Sequence, residues 1–310
     1  MIISASRRTD IPAFFSDWFY NRIAEGYLLV RNPLNQHQIS RINLSPGVVD
    51  CIVFWSKNPS AIIDRLNRLR EYNFYFQYTL TGYGQILEPN VPLLQESMAI
   101  FRSLSHLIGK DRVIWRYDPI ILSKQFNINY HTDIFKKIAR QLSGKTRKCV
   151  ISFINMYKKS KRNMANIRAI DITVEQMIEL AAILSEISGR YNIELTSCAE
   201  IIDLEKYGIS HCKCVDDKLI KEISGFNLNV AKDRTQRTEC GCVTSVDIGA
   251  YNTCAHECLY CYANHNHNRA RRNYAAHDPQ SPLLFGSIDP EDRVYERKCA
   301  SCREIQGPLL

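Results

Sequence analysis

The segment VVDCIVFWSKNPSAIIDRLNRLREYNFYFQYTL, residues 48–80, decides the fold class. It opens with an almost continuous apolar and β-branched run, which is typical of a strand buried on both faces. Pro59 then stands where the first turn of a helix would begin, and apolar residues recur with helical spacing from Ile62 to Leu69. A second apolar run, Phe74–Leu80, completes a strand–helix–strand unit, which is the repeat of a parallel sheet.

The same alternation continues on both sides of this unit. Apolar periodicity predicts further strands over 2–4, 113–117, 149–154 and 193–196 and helices over 12–26, 93–108, 130–142 and 173–188. Strands that alternate with helices predict a parallel α/β sheet with right-handed crossovers. About six such units favour a TIM-like (β/α) barrel, full or partial. We therefore predict one barrel domain over residues 1–278, followed by a tail over 279–310 that wraps the surface.

Polar residues follow the ends of these strands. In parallel α/β folds the carboxyl ends of the strands meet at one edge, where ligands bind. The polar groups are Ser6–Asp10, Ser56–Asn58, Thr79–Thr81, Arg116–Asp118 and Ser197–Glu200. Each group alone is typical of a turn or a helix cap, but together they predict a shared site. Because Arg7, Arg8 and Arg116 are among them, we expect an anionic substrate.

The composition is that of an ordinary globular protein, with 45% hydrophobic and 23% charged residues in a chain of 310. This composition excludes a globally disordered chain. No apolar run approaches the ~20 residues of a membrane span. The short apolar start precedes Arg7 and Arg8, which is the reverse of a signal peptide. We expect a cytoplasmic protein that does not associate with membranes.

The net charge of +8 is mild for this length. Two basic runs, Lys158–Arg162 and Arg269–Arg272, supply much of it. Such runs commonly form a solvated surface, and they also suit an anionic partner such as nucleic acid. Charge alone does not separate these two interpretations.

The twelve cysteines are concentrated after position 197, unlike those of a short disulfide scaffold, and this indicates metal binding or catalysis. The sharpest pattern is Cys254, Cys258 and Cys261, a C-x3-C-x2-C motif with Tyr260 before its last cysteine. Three thiolates at this spacing can hold three irons of a [4Fe–4S] cluster and leave the fourth iron open. Zinc is the competing metal, since it also binds closely spaced cysteines.

This loop resembles the cluster loop of the radical S-adenosylmethionine (SAM) enzymes, and its CLYCYA segment, 258–263, is most similar to the spore photoproduct lyase branch. The resemblance implies that the open iron binds SAM and that reduction yields a 5′-deoxyadenosyl radical, which abstracts hydrogen from a substrate. It also implies an electron donor such as flavodoxin or ferredoxin. The lyases carry a hydrogen-donor cysteine on the strand that matches Ile2–Asp10, where this chain has none, so the lyase reaction is not expected.

The position of the loop departs from that superfamily, in which it follows the first strand. Here it lies at 246–263, but the order of motifs is similar to the lyase order when the chain is read from this loop and then from Met1. This implies a circularly permuted barrel whose founding strand is 246–251. The whole chain also resembles an uncharacterised bacterial family that shares SASRRTDIP (4–12), QYTLTGYG (77–84), WRYDP (115–119) and DIGAYNTC (247–254).

The resemblance implies roles for five side chains near the cluster. Lys57 would bind the SAM carboxylate, and Tyr260 would contact the adenine or shield the cluster. Thr79, Asp10 and Arg116 would contact the amino-acid part of SAM, its ribose or the substrate. The alternative for these three is a buried ion pair or a helix cap.

A second metal site is also implied by the family pattern. Its members would be Cys198, Cys214, Cys240 and Cys242, holding a closed [4Fe–4S] cluster or zinc. A rival zinc set is Cys240, Cys242, Cys299 and Cys302, and the third interpretation is that these are free thiols.

Three functions follow from these observations. The favoured one is a radical SAM enzyme that modifies an unknown substrate, either nucleic acid or another anionic molecule. The second is a zinc-stabilised nucleic-acid-binding protein that uses the basic runs. The third is a non-catalytic iron–sulfur electron carrier, which would hold a cluster without cleaving SAM.

Overall fold

The computed structural model describes residues 1–155, 163–164 and 167–304, so the basic run Lys158–Arg162 lies outside the described residues. The strands, in chain order, are β1 (Ile2–Ala5), β2 (Tyr27–Arg31), β3 (Gln38–Asn43), β4 (Cys51–Ser56), β5 (Phe74–Thr79), β6 (Val113–Ile120), β7 (Lys148–Phe153), β8 (Glu194–Ser197), β9 (Ser210–His211), β10 (Val246–Asp247) and β11 (Arg293–Glu296).

Helices lie in the predicted intervals between the strands of the main sheet. Two further short helices, one before and one after it in the chain, flank the C-x3-C-x2-C motif. In chain order the helices are α1 (Ile11–Phe14), α2 (Ser16–Glu25), α3 (Ser60–Ile63), α4 (Leu94–Ile108), α5 (Ile128–Leu142), α6 (Val174–Arg190), α7 (Asp217–Ser224) and α8 (His267–Ala275). No helix of the described residues combines the length and the apolar character needed to cross a lipid bilayer.

The main sheet has eight strands, all paired in parallel, in the spatial order β10-β1-β4-β5-β6-β7-β8-β9. The parallel α/β prediction is therefore confirmed. The TIM-like barrel is not confirmed, because no pairing within the described residues joins β9 to β10, and the sheet stays open. The strands at its two ends have only two residues each, which leaves little backbone for a closing ladder.

The two faces of the sheet are covered by different material. Alternate residues such as Phe54 and Trp115 pack against the helices in the main core. Their neighbours, such as Val53 and Ile114, face the opposite way and pack against the cysteine-rich segment 212–243. Burial on both faces accounts for the continuous apolar strands of the sequence.

A smaller sheet in the order β11-β3-β2 is separate from the main sheet, although Leu28 and Ile42 of this small sheet pack in the main core. Its β2–β3 pair is antiparallel, and β11 adds to β3 in parallel. Hydrogen bonds tie the tail to α2, since the indole Nε1 of Trp18 donates to the Ser281 carbonyl at 2.9 Å. The division at 278/279 stays a prediction.

The segments that follow β10 and β1 pack closely against each other. A Cβ added at Gly249 would stand 2.2 Å from Ser6 Oγ, which is far inside van der Waals contact. We expect Gly249→Ala to destabilise the fold by about 1–3 kcal/mol, because the backbones must move apart. Urea denaturation checks this, with Gly47→Ala as the control, since nothing lies within 4 Å of a Cβ there. Equal stability of the two variants would contradict the expected clash.

Candidate metal and cofactor site

One cavity of about 490 Å³ lies at the carboxyl ends of the parallel strands. All of the side chains predicted for the cofactor and the two metal sites line it. They are Asp10, Lys57, Thr79, Arg116, Tyr260, Cys198, Cys214, Cys240, Cys242, Cys254, Cys258 and Cys261. Two groups of cysteines from successive segments of the chain therefore face one common space.

The pairing of β10 with β1 positions the C-x3-C-x2-C loop. The register places Asp247 opposite Ser4, so the chain leaves β10 at the same edge as the end of β1. The Asp247 carboxylate joins the two ends, because it accepts hydrogen bonds from Ser6 Oγ at 2.6 Å and from the Arg7 N–H at 2.8 Å. The founding strand predicted over 246–251 is shorter than expected, at two residues.

Backbone hydrogen bonds close the loop and dock it on the sheet. The Asn252 N–H donates to the Ala263 carbonyl at 3.0 Å, which draws the two ends of the loop together. The Leu259 N–H donates to the Leu87 carbonyl at 2.9 Å, which holds the loop against the segment after β5. These bonds hold the three cysteines in place relative to the sheet.

The three thiols of this loop are free; Cys258 is buried, and Cys254 and Cys261 are partly buried. Burial raises the pKa of Cys254, Cys258 and Cys261, and the ammonium of Lys57 opposes this rise at Cys258 and Cys261. A metal that replaces the protons would relieve the cost of ionising these thiols.

Lys57 belongs to a buried network beside Cys258. Its Nζ donates to Glu88 Oε1 at 2.8 Å, and the same oxygen accepts from Thr81 Oγ1 at 2.8 Å and from the Tyr260 hydroxyl. Burial acts to lower the pKa of Lys57, but Glu88 and Cys258 raise it above its ordinary value. Lys57 correspondingly lowers the pKa of Glu88 against the effect of burial.

Asp10 is a helix cap, which is the alternative to cofactor binding that the sequence offers for this residue. Its Oδ1 accepts from the Ala13 N–H at 3.0 Å as the N-cap of α1, and from Ser56 Oγ at 2.8 Å. Its Oδ2 lies 2.8 Å from His256 Nε2 in the cysteine loop. Asp10 therefore links the ends of β1 and β4 to this loop.

Thr79, the last residue of β5, lies beside Arg116 in the middle of β6, where the register pairs them. Arg116 faces the other cysteine group, since its Nη1 donates to Cys214 Sγ at 2.8 Å and its Nη2 pairs with Asp118. The structure thus puts Arg116 at the second predicted metal site rather than beside the C-x3-C-x2-C loop.

The second group is centred on Cys214. The sulfur atoms of Cys198, Cys212 and Cys214 all lie within 4.8 Å of one another, and those of Cys198 and Cys214 are 3.1 Å apart. Hydrogen bonds with Cys212 and Cys214 lower the pKa of Cys198 well below its usual range, and the charge of Arg116 acts in the same direction.

The Cys214 carbonyl anchors the group to the sheet. It accepts hydrogen bonds from the Tyr75 hydroxyl at 2.7 Å and from Gln77 Nε2 at 2.8 Å, both on β5. Cys198 directly follows β8 and Cys212 directly follows β9, so two adjacent parallel strands deliver their cysteines to the same edge.

The rival zinc set is separated by the fold. Cys240 and Cys242 line the cavity at the carboxyl edge. Cys302 lies at the opposite edge, because its N–H donates at 2.7 Å to Asp50, the residue before β4. Cys299 packs against the core on the helix side.

Sequence reasoning missed two members of the site. Nothing local in the sequence signals the ion pair of Glu88 with Lys57. Cys212 was left out of the second metal set, although the C-x-C spacing with Cys214 was a usable signal.

Comparison with known proteins gives a family without a known activity. A family model described as a domain of unknown function, DUF1848, matches residues 2–263. None of the curated proteins compared with the chain matches it. Because the match covers the main sheet and both cysteine groups, the chain belongs to the DUF1848 family.

Proposed function

We propose that this protein is a radical SAM enzyme whose [4Fe–4S] cluster is held by Cys254, Cys258 and Cys261. The observation that carries the proposal is the presence of this loop, at the carboxyl edge of a parallel sheet, in a cavity that also contains the paired Lys57. That edge is where α/β enzymes carry their chemistry.

The spacing of the thiols fits a cluster better than a single ion. A tetrahedral zinc ion with bonds of about 2.3 Å needs sulfur atoms about 3.8 Å apart. Among the described residues, the only group of three ligand atoms within 4.8 Å is that of Cys198, Cys212 and Cys214, so the three loop thiols do not all lie within that distance of one another. A wider set of three thiolates suits three irons of a cubane.

A [4Fe–4S] cluster bound with SAM would supply the one-electron cleavage that forms a 5′-deoxyadenosyl radical. Lys57 would bind the SAM carboxylate, since its ammonium donates to Glu88 and has two further N–H donors. Tyr260 is fixed by its bond to Glu88 and lines the cavity, so its ring would shield the reacting centre from water. An external electron donor such as flavodoxin or ferredoxin would complete the system.

The strand order supports the proposal that the fold is a permuted partial barrel. If the chain is read from β10 and then from β1, the spatial order of the main-sheet strands is the same as their order along the chain. A sequential parallel order is the arrangement of (β/α) barrels. The permutation would place the first strand of such a barrel near the end of this chain.

Three buried donors without a partner support an anionic substrate. Arg7 Nη2, Thr9 Oγ1 and Trp55 Nε1 have no hydrogen-bond partner among the described residues, and all three side chains line the cavity. Buried donors are rarely left unpaired, so a ligand is expected to accept from them. A phosphate or carboxylate oxygen suits a guanidinium flanked by neutral donors.

Replacing Arg7 tests this subsite without requiring turnover. We expect Arg7→Gln to weaken the binding of inorganic pyrophosphate about 10- to 100-fold, because a hydrogen bond to a charged group contributes about 1.5–3 kcal/mol. Isothermal titration calorimetry at fixed salt measures the change. Arg269→Gln removes the same charge from the exposed face of α8 and serves as the control. If both variants lost the same affinity for pyrophosphate, the net charge of the protein would explain the loss, and the proposed anion subsite at Arg7 would be wrong.

The experiment that tests the function itself is an anaerobic assay of the purified protein. Iron and sulfide are counted, and 5′-deoxyadenosine is measured after reduction by dithionite in the presence of SAM. Formation of 5′-deoxyadenosine would support the radical enzyme. An iron–sulfur protein that never forms it would be an electron carrier. A protein with zinc alone and salt-dependent nucleic-acid binding would overturn the proposal in favour of the nucleic-acid-binding function.

A further inference from the structure

We infer that Cys198, Cys212, Cys214 and Cys242 form a closed tetrahedral site for a single metal ion of the zinc class. This site is separate from the C-x3-C-x2-C loop, and it does not depend on the proposed radical chemistry. It differs from the set predicted by the family pattern, because Cys212 replaces Cys240.

The spacing of three thiols carries the inference. The sulfur atoms of Cys198, Cys212 and Cys214 lie within 4.8 Å of one another, although no disulfide joins them. Sulfur atoms about 3.8 Å apart are what a tetrahedral zinc ion requires. A [4Fe–4S] cubane is several atoms wide and would hold its thiolates farther apart. The sulfur atoms of Cys198 and Cys214 are 3.1 Å apart, so a single ion would need only a small outward movement, whereas a cubane would need a large one.

Hydrogen bonds identify the sulfur atoms as acceptors, as thiolate ligands must be. Arg116 Nη1 donates to Cys214 Sγ at 2.8 Å. The N–H groups of Cys214 and Val215 lie 3.3 Å and 3.4 Å from Cys242 Sγ, and both are donors. Donors of this kind orient metal-bound sulfur and stabilise its charge.

Cys242 is the fourth ligand because its sulfur is bonded to the backbone of Cys214, although it lies outside the 4.8 Å group and would move toward a bound ion. Its sulfur receives the Cys214 N–H, and its side chain is almost completely buried. Within the described residues, no such backbone bond joins the sulfur of Cys240 to Cys198, Cys212 or Cys214. Cys240 is left as a neighbouring free thiol.

The positive charges around the four cysteines suit a site that holds a metal ion. Four thiolates and one divalent ion carry a net charge of −2, which is costly in a buried position unless cations stand nearby. Arg116 donates to the sulfur of Cys214, and its guanidinium lies 5.1 Å from the ring of Trp55. Arg7 lies 5.0 Å from the same ring. Burial acts to lower the pKa of Arg7, but the charges of Cys242 and Cys214 help to raise it, so this second guanidinium also lies near the sulfur atoms.

The consequence is structural. The ion would join the ends of β8 and β9 to the segment around Cys242. This segment covers the face of the sheet that contains Val53 and Ile114. Closed thiolate sites of this kind contribute directly to folding. The site would thus fix the part of the cavity wall that Cys198, Cys214 and Cys242 form.

Metal counting on paired variants tests the site. We expect about one zinc per chain in the protein purified from cells, and at least a tenfold loss of zinc in Cys212→Ser. Cys240→Ser, two residues from Cys242, should keep its zinc. Retention in Cys212→Ser together with loss in Cys240→Ser would overturn the ligand set.

Two further measurements keep the test decisive. The variant with Cys254, Cys258 and Cys261 all changed to alanine should lose its iron and keep its zinc, which separates this site from the proposed function. If that variant retains iron and sulfide instead, the site holds a cluster and the inference fails. If Cys212→Ser does not fold, cobalt(II) exchanged into the unsubstituted protein should show the spectrum of a tetrahedral tetrathiolate. An octahedral spectrum would overturn the site.

Discussion

Replacing Cys258 with alanine is expected to abolish the formation of 5′-deoxyadenosine and to lower cluster iron to background. Cys258 is the middle cysteine of the loop, it is buried, and it faces the cavity beside Lys57. With one of three thiolates removed, the cluster would be held by two, and its open iron would no longer be presented to SAM. The measurement is anaerobic iron counting followed by product assay by liquid chromatography.

A cysteine outside the site provides the matched control. Cys299 is a free, partly buried thiol that packs against the helix-side core and does not line the cavity. Cys299→Ala should therefore keep iron and product at the level of the unsubstituted protein. If Cys258→Ala retained full product formation, the assignment of the C-x3-C-x2-C loop would be wrong, whatever metal the protein contains.

The regular part of the fold was predictable because its signals are local. The helix predicted over 173–188 is α6, and Thr173 and Gln176 form a capping box at its start, directly before Val174. The strand predicted over 74–80 is β5, within one residue. In both places, propensity, periodicity and tertiary packing favour the same structure.

The remaining elements could not be predicted, because their signals are weak or distant. β9 and β10 have two residues each, too few for a periodicity to appear. β3 and β11 pair across more than 250 residues, and β11 is exposed along its whole length. Such strands are set by tertiary pairing rather than by their own composition.

The candidate site shows the same division. The spacing of Cys254, Cys258 and Cys261 is local, so the loop could be identified from the sequence alone. The ion pair of Lys57 with Glu88 and the approach of Cys212 to Cys198 depend on how the strands are ordered. Because the strand order brings both cysteine groups to one edge, the cavity itself is a property of the fold.

The Lys57–Glu88 pair gives the largest expected effect on stability. We expect Lys57→Met to lower the free energy of unfolding by about 3–5 kcal/mol, because it leaves the Glu88 carboxylate buried without its cation. The side chains are only 15% and 5% exposed, so water cannot replace the lost partner. Adding Glu88→Gln should recover most of the loss, since the amide carries no charge. Urea denaturation of the single and double variants measures this coupling.

The exposed pair of Arg190 with Glu186 is the control, and Arg190→Met should lower the free energy of unfolding by less than about 1 kcal/mol.

The pH dependence of stability gives a second test of the Lys57–Glu88 pair, and its sign is definite. In the unsubstituted protein Lys57 lowers the pKa of Glu88, so the stability from this carboxylate is present above its unfolded pKa and is lost as the pH falls through the folded value. In Lys57→Met the charge of Lys57 is gone, and we expect burial, the largest influence on Glu88, to outweigh the hydrogen bonds from Tyr260 and Thr81 and to raise the folded pKa above the unfolded one. The variant should therefore lose stability as the pH rises from about 4.3, the unfolded pKa of a glutamate. The difference between the two proteins should be smaller at pH 5 than at pH 7.5, and a difference that is equal at both values would show that the charge of Glu88 is not responsible.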